Sequence, residues 1–216
     1  MLKVAALQVD INRVEILREV DLEIVPGTMC GLIGRNGAGK TTFMRSVMGL
    51  IAPRSGRIEF DHLDLTRVHA HKRAGLGIGY VPEDRRLVPD FTAQENILLP
   101  AWSTRLEDAE DRLRWIFRLM PEVERFAAQR AQQLSGGQQK LVALARALMC
   151  GSKLLLLDEP FEGLAPALAR RLAEVLSALK DEGLSILLAE SNEKHVVDLL
   201  DREFVIERGS VTPGAR

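Results

Sequence analysis

Eight consecutive residues, Gly34-Arg35-Asn36-Gly37-Ala38-Gly39-Lys40-Thr41, restrict what this chain can fold into more than any other segment. They match G-x-x-x-x-G-K-[ST] and sit between an apolar run over 29–33 and a run over 41–50 that reads as a helix interrupted at Gly49. Three glycines free the backbone to curl until successive N–H groups face one point, and the helix start adds the positive end of its dipole. That is a cradle for phosphate. Lys40 is expected to reach the β- and γ-phosphates of a nucleotide and the Thr41 hydroxyl to ligate Mg²⁺, with Thr42 next along the helix.

The rest of the chain alternates strands and helices as such a loop requires. Val20, Leu22 and Ile24 alternate with Glu19, Asp21 and Glu23, the period of a strand with one wet face. Pro26-Gly27 then turns the chain into 29–33. Further strands are predicted over 57–60, 77–81, 153–157, 184–190 and 203–207, and helices over 137–149, 166–182 and 193–200. Between about 84 and 134 the pattern becomes helical. Thr92 and Glu95 make a capping box, and 106–120 reads as a charged helix with Leu113, Ile116, Phe117 and Met120 turned inward. Trp115 is expected to pack in the core and Trp102 to border a partner surface. We therefore expect one α/β domain over 1–216, built on a parallel core sheet, with a helical lobe at 84–134.

Charge and cysteine content narrow the function. Lys plus Arg number 29 and Asp plus Glu 30, a balance that lacks the basic field of a nucleic-acid binder. Two cysteines, Cys30 and Cys150, form neither a disulfide framework nor a metal-ligand spacing. The longest charge-free run, 24–34, is too short and too broken to cross a membrane, and no secretory signal is read at the start.

Two more segments carry chemistry. The run Leu154-Leu155-Leu156-Leu157-Asp158-Glu159 reads as a buried parallel strand with two acids at its carboxyl end, where ligands bind in such sheets. Asp158 is placed to hold Mg²⁺ through water, and Glu159 to take a proton from an attacking water. In Leu134-Ser135-Gly136-Gly137-Gln138 a hydroxyl and two glycines open a helix whose apolar side is Leu141, Leu144, Ala145 and Leu148. That bare helix start is a second anion site. Two such sites in one chain suggest a dimer that sandwiches nucleotide.

In order and spacing these three segments resemble the ATP-binding-cassette family across essentially the whole chain. The finer resemblance is to an ATPase subunit of Liv-type importers of branched-chain or hydrophobic amino acids. It is carried by Tyr80-Val-Pro-Glu-Asp-Arg-Arg86, Thr92-Ala-Gln-Glu-Asn96, the stretch from Asp158 to Pro166 and the late stretch from Asp201 to Gly209. The resemblance implies a P-loop ATPase fold with a small N-terminal antiparallel β part, ATP with Mg²⁺, and hydrolysis coupled to transport. It implies that the loop 135–138 closes over the nucleotide of a second ATPase subunit, identical or different. Integral-membrane permease subunits and, indirectly, a solute-binding protein are the other implied partners, on the cytoplasmic face of the inner membrane. Glu83 falls where the family carries a glutamine, with an implied catalytic and metal role, and Ser191 where it carries a switch histidine. Ile11 falls where an aromatic stacks on adenine, and Ala165 replaces a loop aspartate. Because Ser191 is short, the site on this P-loop is expected to turn over more slowly than its partner. His195, about one helical turn past Ser191, is a weak substitute. A urea or short-amide importer ATPase, or a soluble assembly ATPase of the same family, are the alternative readings.

Overall fold

The computed structural model of the chain describes residues 1–192 and 196–214. A long hairpin of β1 (Leu2–Ile11) and β2 (Val14–Ile24) leads into β3 (Met29–Ile33) and α1 (Lys40–Val47). A second hairpin, β4 (Ser55–Phe60) with β5 (Leu63–Asp64), precedes the short α2 (Ala70–Arg73) and β6 (Ile78–Val81). Helices α3 (Ala93–Thr104), α4 (Ala109–Leu119) and α5 (Pro121–Arg125) follow, then α6 (Gly136–Cys150) and β7 (Leu154–Asp158). The chain continues through α7 (Pro166–Asp181), β8 (Ser185–Glu190), β9 (Arg202–Glu207) and β10 (Ser210–Pro213).

Two sheets result. One is antiparallel, in the order β2-β1-β4-β5, and the other runs β10-β9-β3-β8-β7-β6, parallel except for β10 at its edge. Every residue of β3, β7 and β8 is buried, as expected for strands covered on both faces. Their alternate side chains feed two separate cores. Leu155, Leu157, Ile186 and Leu188 join the core under α6 and α7, whereas Leu154, Leu156, Leu187 and Ala189 join the core shared with α1 and the antiparallel sheet. The sheet thereby becomes a rigid plate with its carboxyl ends at one edge.

Local sequence accounts for most element ends. The Thr92–Glu95 capping box forms as read: Thr92 Oγ1 accepts the Glu95 N–H at 3.1 Å, and the Glu95 carboxylate accepts the Thr92 N–H at 2.7 Å. Helix α1 stops before Gly49, whose φ of 72° only a residue without Cβ adopts freely. The helix expected over 106–120 begins later, at Ala109, because Arg105 already sits in the left-handed region with φ 54°. Strand β1 hides its period: Leu2 and Val4 are buried, then the parity flips at a bulge near Ala6, and Leu7 and Val9 are buried. The helix expected over 193–200 lies partly outside the described residues, as does His195, and 196–199 forms a turn closed by the Leu199 N–H on the Val196 carbonyl at 2.8 Å. Cys30 and Cys150 are free thiols, and burial pushes that of Cys150 up to about 11.

Arg73 ties the P-loop helix to the chain beyond it. Only 3% exposed, its guanidinium donates to the carbonyls of Val68 at 3.0 Å, Ser46 at 3.0 Å and Leu65 at 2.6 Å, and to that of Val47. Removing the donor strands several buried carbonyls, each costing about 1–3 kcal/mol when unpaired. Arg73→Met is therefore expected to lower the unfolding free energy by about 3 kcal/mol, read as a lower midpoint in urea with an unchanged slope.

Candidate nucleotide-binding site

Four strand ends converge at the carboxyl edge of the plate: β3 runs into Gly34, β7 into Glu159, β8 into Ser191 and β6 toward Glu83. Gly34 is required by space, since a Cβ there would lie 2.2 Å from the Ile206 carbonyl oxygen. Gly39 is required by conformation, with φ at 116°. Between the curled loop and the opposite strand ends lies an open cleft of about 430 Å³. Asn36, Gly37, Gly39, Lys40, Thr41 and Thr42 line one side, with Ile16 next to Gly39, and Glu83, Glu159 and Glu162 complete the lining. Gly34, Arg35 and Ala38 form the back of the loop, facing a groove along β9.

The charged groups are dry and interlocked. Lys40 and Glu159 form an ion pair at 3.0 Å with side chains 4% and 8% exposed. Lys40 Nζ also donates to the carbonyls of Gly34 at 2.5 Å and Arg35 at 3.3 Å. The other oxygen of Glu159 accepts the Ser191 hydroxyl at 2.9 Å. Thr41 Oγ1 donates to Asp158 Oδ1 at 3.2 Å, and the Tyr80 hydroxyl reaches the second Asp158 oxygen at 3.5 Å. Burial, reinforced by the nearby charges of Glu83 and Glu159, pushes the Asp158 carboxyl up to about 6 despite the Thr41 bond. Burial raises Glu190 to about 7, although it accepts the Phe161 N–H at 3.1 Å.

The loop 135–138 behaves differently. Ser135 caps α6, its Oγ accepting the Gln138 N–H at 3.3 Å while Gln138 Oε1 accepts the Ser135 N–H at 2.8 Å. Ser135 and Gly136 are exposed, and no residue of 135–138 lines the cleft around Lys40. The start of α6 thus faces some other space than the cleft around Lys40.

Several neighbours of the cleft carry no sequence signal that reading found. Ile16 on β2 lines it, whereas Ile11, at the outer end of β1 and 37% exposed, does not. Tyr80 and Glu162 lie in stretches that carry the resemblance but with no site role attached to them, and Glu190 lies in no motif. Glu190 had one available clue, a carboxylate ending an otherwise apolar strand. Ala165 sits at the N-cap of α7 and offers that helix no side-chain bond. Trp115 is half-buried with the Arg112 guanidinium 4.1 Å from its ring centre, and Trp102 is 54% exposed. His62, His69 and His71 are exposed.

The residues suit a nucleotide triphosphate with Mg²⁺. The cleft falls in the size range of small-ligand sites, Gly37, Gly39 and Lys40 of the loop line it, and the hydroxyl of Thr41 and carboxylate of Asp158 are already paired as hard oxygen donors.

Comparison with known proteins agrees. The family described as ABC transporter matches residues 17–162. The high-affinity branched-chain amino acid transport ATP-binding protein BraG of Pseudomonas aeruginosa is 34% identical over 93% of this chain and 86% of its own length. The lipopolysaccharide export system ATP-binding protein LptB of Escherichia coli is 32% identical over 90% of this chain and 81% of its own. The dimeric post-hydrolysis structure of the ATP-binding cassette MJ0796, bound to ADP and Pi, superposes with a TM-score of 0.87 at 25% identity. It covers 99% of this chain and 98% of that one.

The two raised carboxyls set a pH dependence. Each holds a proton in the folded state at pH values where the unfolded chain, with ordinary carboxyls near 4, has released it. Folding then binds protons, so stability without nucleotide is greatest below about pH 4 for these two groups and falls as pH rises toward 7. Thermal melting of the nucleotide-free protein is expected to show this slope, and Asp158→Asn and Glu190→Gln to flatten it while raising the melting temperature at pH 7.5 by at least about 2–4 °C each.

Proposed function

This chain belongs to the ABC transporter family as an ATP-hydrolysing subunit, and we propose that it energises an importer of branched-chain or other hydrophobic amino acids. One observation carries the proposed division of labour: the P-loop, Asp158 and Glu159 meet around one cleft, while 135–138 stands outside it. A complete site then needs the loop of a second subunit, as the geometry of one chain supplies only half of each.

In this reading the backbone N–H groups of Gly37 and Gly39 and the Lys40 ammonium bind the phosphates. Leaving Glu159 for the phosphates, Lys40 frees that carboxylate to accept a proton from water, oriented by Ser191. Thr41, Asp158 and Glu83 would hold Mg²⁺, which when bound supplies charge neutralisation on the phosphates. Ser135, Gly136, Gly137 and Gln138 serve the partner's nucleotide. The chain acts as one nucleotide-binding domain over 1–216, and the segment 84–134, which contains α3 to α5, docks on permease subunits at the cytoplasmic face of the membrane. Trp102 on α3 belongs to that face. Among the described residues no helix is long and apolar enough to cross a membrane. Linkage completes the cycle: ATP favours the closed dimer, and closure biases the attached permease.

The similarity to BraG and the motifs around Tyr80 and Asp158 support amino acids as cargo. The near-equal identity to LptB favours lipopolysaccharide export as the second reading. The complex purified from detergent-solubilised membranes and reconstituted in vesicles separates them. Stimulation of ATPase by a leucine-loaded solute-binding protein is expected, and stimulation by lipopolysaccharide instead would replace this reading with the second. In the same preparation Lys40→Ala should abolish ATP binding by calorimetry, and Glu159→Gln should cut turnover at this chain's site by about 10²–10⁴-fold.

A further inference from the structure

Lys140 belongs to none of the three motifs, yet its ammonium is committed to the backbone that follows Glu159. It lies on α6, five residues beyond the Ser135 cap. Nζ donates to the carbonyl of Glu159 at 3.0 Å, to that of Pro160 at 3.2 Å and to that of Glu162. An ammonium has three donors and no acceptor, so these carbonyls account for all of it. From the other side, Glu190 accepts the Phe161 N–H at 3.1 Å. Segment 159–162 is thus gripped between a cation on α6 and a carboxyl on β8.

The grip matters because the local chain does little to keep Glu159 where it is: a single bond runs from the Glu162 N–H to its carbonyl at 3.3 Å. Its φ is 50°, a left-handed conformation that a residue with a Cβ holds only when its surroundings over-determine it. Its N–H is fastened to the Ala189 carbonyl at 2.9 Å, and its carbonyl to Lys140. The junction has little slack. A void of only about 20 Å³ remains between the start of α6, Glu159 and α7, and a Cβ on Gly137 would lie 2.4 Å from Leu168 Cδ2. The first turn of α6 is thereby packed on the start of α7, which follows closely on the segment that Lys140 binds.

We propose that Lys140 is a positioning residue for ATP hydrolysis, fastening the segment that aims Glu159 to the helix whose N-terminus is the Ser135 loop. Seating of that loop on a partner's nucleotide then governs the aim of this chain's own base. The inference rests on the reading of Glu159 as the base and of 135–138 as partner-facing.

The test compares Lys140→Met and Lys140→Arg in the full-length chain within its assembled transporter. Lys140→Met is expected to lower kcat by about 10- to 100-fold, the cost of a base displaced by about an ångström. It should leave ATP affinity within about twofold, because Lys140 does not line the phosphate cleft. Lys140→Arg, which keeps the charge and the donors, should restore part of the turnover. In a Glu159→Gln background Lys140→Met should cost nothing further. An unchanged kcat in Lys140→Met, a loss matched by lost ATP affinity, or a full additional loss in the Glu159→Gln background overturns the proposal. Should Lys140→Met fail to fold, Lys140→Gln carries the same measurements. Normal turnover in Glu159→Gln alone would instead remove Glu159 as the base, so the two failures are distinct.

Discussion

The last two carbonyls of β8 hold the site together. The Ala189 carbonyl accepts the Glu159 N–H at 2.9 Å and the Glu190 carbonyl accepts the Gly34 N–H at 3.1 Å, so one strand end pins both the start of the phosphate loop and the residue after Asp158. This follows from the ladder beneath, in which β8 pairs with β3 from Met29↔Ile186 to Ile33↔Glu190 and with β7 from Leu154↔Ser185 to Asp158↔Ala189. A slip of one residue would turn every side chain of β8 to the opposite core and lift Ser191 away from Glu159. The two apolar cores, each fed by alternate residues of the same strands, oppose such a slip.

On that frame sits an arrangement that is poor for stability and suited to chemistry. Lys40, Asp158, Glu159 and Glu190 are all buried, and acids outnumber the bases among them. Burying like charges costs free energy, which appears as the upward displacement of Asp158 and Glu190. A ligand that brings a divalent cation and draws Lys40 toward phosphate relieves part of that cost. Ser191 fits the same economy of space: its short hydroxyl reaches Glu159 rather than across the cleft.

Much of this was legible before any coordinates. The phosphate loop, the all-leucine strand ending in Asp158, the Thr92 capping box and the start of α6 are each written in contiguous residues, and each forms where the sequence places it. Where reading failed, the cause was non-local. The alternation of β1 is broken by a bulge whose Ala6 N–H bonds the Asp21 carboxylate, fifteen residues away, so no window along β1 shows one period. Ile16, which the hairpin presents to the cleft, is marked by no motif along β2.

The sequence by itself determined the family, the strand and helix types, and the identity of the groups proposed to handle phosphate, because hydrophobic period, glycine placement and capping act over a few residues. Tertiary structure decided which of those groups touch. Lys40 meets Glu159 across 119 positions of chain, Ser191 meets Glu159 across the β7–β8 ladder, and Lys140 finds the carbonyls of 159–162 only because α6 packs against that turn. A carbonyl has no side-chain identity to read, and a pairing across the sheet has no spacing to recognise. Both exist only once register and packing have brought distant segments into one place.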